Sequence, residues 1–547
     1  MPNLVAILFT AMGKRTTLVW GACVAAALLL GAILGCGGNV EDSVPSRQVD
    51  MKVSESVAED ATTYLGQEAA SLHEGHGGDS GFLLMDRGRV ALAWRAILAD
   101  AAERSIDAQY FLWKDDAAGK VMMQRLMAAA DRGVRVRVLI DDSMTESDPL
   151  YLAKFGAYPN VEVRLYKPFG PKHKSKVLRW IDYAADLKIL NRRMHNKLFV
   201  VDDSFAIAGG RNIGNDYFEY PAPFVFRSRD LLAVGPVVKT AAEAFELYWD
   251  SDWTSPIEDV VTPVPTVEEA RAFKAQLDEF ALAPSSYPPG FTEDASHIAD
   301  EMRGLAEDLH WGKAQLLVDA VPEKNGVAQT SAELDRTGVV LGRLARQTAD
   351  RMYIQSAYLI LLPQEIELLN EICAKGVEVK LATNSMASDN HLSAFVGYRK
   401  QRSRLIETGA QLYEMRPDAA LERALFEDED LEKHGTFFGL HAKTAVFDQR
   451  YAFVGSFNFD PRSLNLNTEM GWLVDSPSLA KAIIESIEGD VSAGNSWQVV
   501  LDDGNHPLWV SEVEGKIVVE ADKDPMTTAK ERAEADALAV VPDDSQL

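Results

Sequence analysis

His195-Asn-Lys197-Leu-Phe-Val-Val-Asp202 and His441-Ala-Lys443-Thr-Ala-Val-Phe-Asp448 are two copies of one pattern, His-x-Lys-x4-Asp, in a single chain of 547 residues. Each opens an apolar run and closes on a turn signal: LFVV, Asp-Asp-Ser, FAIAGG in the first, and TAVF, Asp-Gln-Arg, YAFVGS in the second. Both read as a strand entering a tight hairpin. Residues two apart on a strand project from one face, so His195 and Lys197 point together, as do His441 and Lys443. Asp202 and Asp448 fall at an odd offset beside the turn, where a carboxylate bonds backbone amides and fixes the hairpin. One such motif is an ordinary histidine beside a surface lysine. Two, followed by GGRNIGNDYFEY (209–220) and GSFNFDPRSLNLNTEMGW (455–472), are a site.

The motifs sit inside a larger repeat. SIDAQYFLW (105–113), an amphipathic GKVMMQRLMAAADRG and VRVRVLIDD (134–142) match MYIQSAYLIL (352–361), PQEIELLNEICAKG and VEVKLATNS (377–385). The apolar period passes from two to 3.6 and back, which predicts strand, helix, strand in each half. Gly133 and Gly376 stand where a helix C-cap glycine is expected. This βαβ order predicts an α/β fold. The halves are expected at 81–255 and 313–498, with a Pro-, Glu- and Ala-rich connector at 256–312 and a tail at 499–547 whose end forms a short helix.

These residues resemble the phospholipase D superfamily, over roughly residues 81–498. The strings NRRMHNK, GGRNIG and FRSRDLLAVGPVV are similar to the C-type branch of bacterial cardiolipin synthases. The resemblance implies two pseudo-symmetric halves, each a mixed sheet flanked by helices, with one active site at their interface. It implies that Lys197 and Lys443 clamp the phosphate oxygens, helped by Asn212, Asn458 and Ser456, since preorganised charge is a large catalytic term. It also implies His195 as nucleophile, forming a phosphohistidine, and His441 as acid and base. The two motifs are near-symmetric, so the residues alone do not order these roles. A histidine in either role needs its second nitrogen held by a carboxylate; Glu469 is expected to serve one and Asp230 the other. The motifs lack metal-ligand spacing, and no metal or cofactor is expected. Water in place of an acceptor lipid would make the same machinery a phospholipase D. A nuclease and an inactive lipid-binding protein are the remaining readings.

Composition bears on the partners. The net charge is −27 and the isoelectric point about 4.8, which disfavours nucleic acid, whose backbone is bound largely by Lys and Arg. The expected partners are phospholipids and a membrane. Lys167-Pro-Phe-Gly-Pro-Lys-His-Lys-Ser-Lys176, with Val177 to Ile181 after it, interleaves basic and aromatic residues as an anionic lipid surface would require, or forms an ordinary solvated loop.

The N-terminus reads as a targeting segment, residues 1–36. A basic Met12-Gly-Lys-Arg15 precedes the apolar Leu18 to Leu34, and Ile33-Leu34-Gly35-Cys36 closes it. This resembles a bacterial lipoprotein signal acylated at Cys36, with Met12 as a candidate start. Gly37 after the cysteine points to the outer rather than the inner membrane, on the periplasmic side. An uncleaved span is the alternative, the run being near the ~20 residues needed to cross. Residues 37–80 read as a polar tether; His73-Glu-Gly-His76 within it is weak evidence for a metal. Cys23 and Cys36 lie in the leader, leaving Cys373 as a lone buried thiol.

Overall fold

A computed structural model describes residues 62–142, 149–168, 192–291, 298–322, 336–513 and 516–539. The leader, Cys36, most of the tether and the basic segment from residue 169 to 181 lie outside them.

The first half is one mixed sheet. Three parallel strands, β2 (Ser105–Tyr110), β3 (Arg135–Asp141) and β4 (Val161–Tyr166), follow β1 (Ser80–Met85) in sequence. The motif strand β5 (Leu198–Val201) pairs antiparallel with β2 and turns into β6 (Phe205–Gly209). Next come a short β7 (Phe224–Arg227) and β8 (Asp230–Val234), which lies between β6 and β1; β9 (Thr254–Pro256) edges β4.

The second half repeats this order. After β10 (His310–Val318) come parallel β11 (Arg351–Ser356), β12 (Glu378–Asn384) and β13 (Gln411–Met415). A short β14 (Phe437–Leu440) precedes motif strand β15 (Lys443–Phe447), which pairs with β11 and turns into β16 (Tyr451–Gly455). Then β17 (Met470–Asp475) lies between β16 and β10, and β18 (Ser496–Leu501) edges β13. β1 pairs with β10, so the two sheets run together. β7 and β14 form a parallel ribbon between the halves.

Both motif strands are buried on both faces, as their unbroken apolar runs require. Leu198 and Val200 face a central core shared with Val446, Val454 and Trp472 of the second half. Phe199 and Val201 face the outer core of the first half, and Ala445 and Phe447 that of the second. Helices Val237–Trp249 and Pro477–Asp490, which follow equivalent strands, fill the central layer.

The predicted helices form at Ala117–Asp131 and Pro363–Ala374, with Gly133 and Gly376 at φ +95° and +87°. Both hairpins close over three residues, Asp202–Ser204 and Asp448–Arg450, with left-handed pairs at Asp202 and Asp203 near φ +50° and at Asp448 and Gln449 near +53°. Such turns match the strand twist.

Three of the expected segments carry elements that their sequence did not announce. The tether contains a helix, Tyr64–His73, started by Thr63 accepting from the Gly66 amide. The connector holds the helices Val267–Ala281 and Ile298–Asp308, the first under a full Thr266/Glu269 capping box. The tail extends the second sheet by β19 (Pro507–Val513) and β20 (Lys516–Ala521) before helix Ala529–Leu538. His73 and His76 do not pair on a metal: His73 Nε2 bonds the Asp79 carbonyl and His76 stacks on Trp311 at 3.6 Å. Among the described residues no helix is long and apolar enough to cross a membrane.

Candidate active site

The two motif histidines enter the site on strands whose preceding residues are pinned by the opposite half. The His195 amide donates to the Thr468 carbonyl at 2.9 Å, and the Thr468 amide to the Arg193 carbonyl at 2.9 Å. The His441 amide donates to the Arg227 carbonyl at 2.7 Å. Each half therefore holds the other's histidine, and the site exists only when the halves are packed together.

At the carboxyl ends of β3 and β12 two polar side chains complete the brackets. Asp141 accepts from the Met194 amide at 3.0 Å; Asn384 accepts from the Leu440 amide at 2.7 Å and donates to the Leu440 carbonyl at 2.8 Å. Both clamp the residue just before a motif histidine. Neither was expected as a site residue, yet VRVRVLIDD and VEVKLATNS end on them at matched positions.

The imidazoles are supported unequally. His195 Nδ1 lies 2.8 Å from Glu469 Oε2, and that oxygen also accepts from Ser456 Oγ at 2.5 Å. The Ser456 hydroxyl in turn accepts from the Met470 amide at 3.0 Å, so Ser456 positions Glu469 instead of facing a phosphate. The Glu469 amide donates to Asp319 Oδ2 at 3.1 Å. His441 has rings about it, Tyr217 edge-on at 5.2 Å and Phe226 at 4.7 Å, while its buried Nδ1 has no hydrogen-bond partner.

Asp230, expected to hold one of the two histidines, is elsewhere. It forms a buried pair with Arg95 at 2.9 Å and accepts from the Arg211 amide at 3.1 Å. The register explains the error: Asp230 pairs with Gly209 as Gly471 pairs with Gly455, so the position matching Glu469 is Ser228. Ser228 Oγ reaches only the His441 carbonyl, at 3.4 Å.

Asp202 and Asp448 lie at the far ends of the motif strands and do not join the centre. Asp202 accepts from the amides of Glu103, Arg104 and Ser105 at 2.8–3.0 Å, and Asp448 from those of Ala349 and Asp350 at 2.8–3.1 Å. Each ties its hairpin to the start of the neighbouring strand. Their role is structural.

Lys197 and Lys443 are buried and each donates to the carbonyl of its own histidine, at 2.5 and 2.9 Å. Burial lowers Lys197 to about 7 and holds Lys443 well below the usual lysine range, with Lys197 adding to the effect. Burial, and then both lysines, hold His195 and His441 well below the ordinary histidine value. Burial pushes Glu469 up to about 7 against the opposing pull of Lys197. The two imidazoles and the two lysine side chains thus lie within electrostatic reach of one another. Asn212 donates to the Tyr217 hydroxyl at 3.0 Å, and the buried amide oxygens of Asn212 and Asn458 have no partner.

A buried centre with two lysines and two imidazoles, all drawn towards their neutral forms until an anion arrives, suits a phosphodiester. The family model described as cardiolipin synthase, PLD-like domain, matches the chain at residues 96–249 and again at 341–491. The chain belongs to the phospholipase D superfamily. Among its superfamily relatives, cardiolipin synthase C of Escherichia coli is 33% identical over 474 residues, covering 85% of this chain and 96% of that protein. The major cardiolipin synthase of Bacillus subtilis is 24% identical, covering 75% and 68%. The crystal structure of phosphatidylserine synthase from Haemophilus influenzae superposes with a TM-score of 0.51 at 13% identity, covering 88% of this chain and all of that one. That likeness concerns the fold. In this superfamily chain the two matched segments each contain one motif histidine.

Proposed function

We propose that this chain is a phosphatidyltransferase of cardiolipin synthase type. The observation that carries the reading is the convergence of His195, His441, Lys197 and Lys443 on one buried centre, each histidine pinned by the opposite half. The cardiolipin synthases among its relatives support the lipid substrate.

The unequal support orders the roles. With Nδ1 anchored on Glu469, the neutral His195 presents the lone pair of Nε2 to phosphorus. Attack forms an N–P bond and breaks the P–O bond to the donor's head alcohol. The departing oxygen takes a proton from His441, which the arriving phosphate anion charges by offsetting the two lysines. In the second step an acceptor hydroxyl attacks phosphorus and returns its proton to His441. The N–P bond breaks and His195 is regenerated. Lys197, Lys443, Asn212 and Asn458 hold the non-bridging oxygens.

The enzyme acts as a lipoprotein held through Cys36 at the periplasmic face of the outer membrane, with residues 167–181 meeting anionic lipid. Replacing Lys172, Lys174 and Lys176 with Glu is expected to weaken liposome binding; unchanged binding excludes that contact. Intact-mass analysis of membrane-extracted protein is expected to show an acylated Cys36 as the first residue.

The deciding assay incubates purified protein with phosphatidylglycerol, with and without phosphatidylethanolamine, and resolves the lipids by mass. Cardiolipin is the expected product. Phosphatidic acid alone makes the enzyme a hydrolase, and neither product refutes the reading. Activity is expected to persist in excess chelator; loss restored by a divalent ion contradicts the metal-free mechanism.

A further inference from the structure

The ends of β11 and β12 carry a polar cluster that the phosphate chemistry leaves unused. Tyr358 donates to the Asn390 side-chain oxygen at 3.1 Å, the His391 ring stands edge-on to Tyr358 at 5.7 Å, and the His391 amide donates to Asp389 at 2.7 Å. Tyr358 and Asp389 are half-buried, while Asn390 and His391 are open to solvent. Solvent, and hence a solute, reaches all four.

The cluster belongs to the His441 side of the site. Ser356, two residues before Tyr358, is the register partner of Lys443. The Tyr358 hydroxyl lies within electrostatic reach of Tyr217, whose ring packs on His441. The loop bearing Asp389 to His391 is held by reciprocal bonds between Ser385 and Ser388, and Ser388 donates to Asn384 at 3.2 Å. Asn384 is the residue that clamps Leu440, next to His441. At the end of β2 in the first half, Phe111 packs edge-on to His195 at 5.1 Å.

We propose that Tyr358, Asp389, Asn390 and His391 form the subsite for a neutral polyol, the hydroxyl-bearing headgroup of the lipid alcohol that accepts the phosphatidyl group. The assignment rests on the phosphatidyl-transfer reading above and names where the second substrate sits. A phenol, an amide, a carboxyl and an imidazole offer donors and acceptors in the mixture a polyol needs. What burial there is raises the Asp389 carboxyl and lowers His391 from their ordinary values, and both shifts favour the neutral forms. None of the four is a lysine or arginine that would hold a second phosphate. A hydroxyl held here lies on the His441 side of the site, and in the proposed transfer His441 takes its proton as the new P–O bond forms and the His195 N–P bond breaks.

The test measures partition. Full-length protein on phosphatidylglycerol vesicles is given labelled glycerol or labelled ethanolamine, and transfer to each is divided by hydrolysis to phosphatidic acid. The wild type is expected to favour glycerol. Tyr358→Phe combined with Asn390→Ala is expected to lower the glycerol transfer-to-hydrolysis ratio about ten-fold, the worth of one or two hydrogen bonds. Because the ratio is internal to each sample, partial misfolding cancels. Asp389→Ala is expected to lower the ratio, and Asp389→Asn, which keeps a neutral hydrogen-bonding group, to preserve it. Ratios unchanged in every variant, with both products still forming, overturn the subsite alone. A wild type that makes no lipid product overturns the transfer reading and the subsite with it.

Discussion

His195 and His441 share a motif, a burial and a pair of lysines, and differ in what touches Nδ1. Glu469 bonds that nitrogen on His195, whereas the same atom of His441 has no partner. A carboxylate on Nδ1 fixes the tautomer and keeps Nε2 nucleophilic, so the proposed mechanism calls for ionised Glu469 in its first step. Its folded value stands at about 7, above the ordinary 4.5, because burial disfavours the charge. The ionised fraction therefore grows as pH rises through about 7, and kcat/KM is expected to climb over that interval. Glu469→Gln is expected to flatten this limb and lower kcat about 100-fold or more, with circular dichroism unchanged. A retained limb contradicts the assignment. Asp230 offers the contrast: removing it strands the buried Arg95. Asp230→Ala is expected to lower unfolding stability by about 3–5 kcal/mol in chemical denaturation. A stable but inactive Asp230→Ala protein contradicts this placement.

At the scale of elements, the hairpins are what aim the motif strands. Asp202 saturates three amides ahead of β2 and Asp448 two residues ahead of β11. Asp202→Ala leaves buried donors unpaired and is expected to cost about 2–3 kcal/mol of stability, read from the urea midpoint, with little change in KM. A large loss of kcat in a fully folded Asp202→Ala protein would return the residue to the chemistry. These hairpins, the paired βαβ units and the C-cap glycines were legible in the sequence because turn chemistry and apolar period are local. The helix Tyr64–His73 was not, since ten polar-leaning residues gain their stability from docking beside β8 and the helix Gly88–Ala101. β19 and β20 were missed for a similar reason: they only extend an edge already built by β18, and β20 exposes Ile517, Val518 and Val519 where a buried strand would hide them. Asp141 and Asn384 escaped notice although the repeat aligned them. Asp230 was misplaced because spacing along the chain does not report register across a ladder.

For the whole molecule, the halves supply each other's active-site supports. Beyond the motif contacts, Arg227 and Arg229 of the first half meet Asp490 of the second, Arg227 at 2.9 Å, within a buried network that includes Asp86 and Gln355. A shared central core and the β1–β10 pairing close the same interface. Either histidine alone is then insufficient: His195→Ala and His441→Ala are each expected to lower transfer about 1,000-fold or more while leaving the fold intact. The account turns on which of them becomes covalently modified. Rapid acid-free quenching of the enzyme with phosphatidylglycerol, followed by peptide mass mapping, measures that directly. The expected result is a phosphatidyl adduct on the His195 peptide of the wild type, absent in His195→Ala. An adduct on His441, or product formation with no adduct on either histidine, would contradict it.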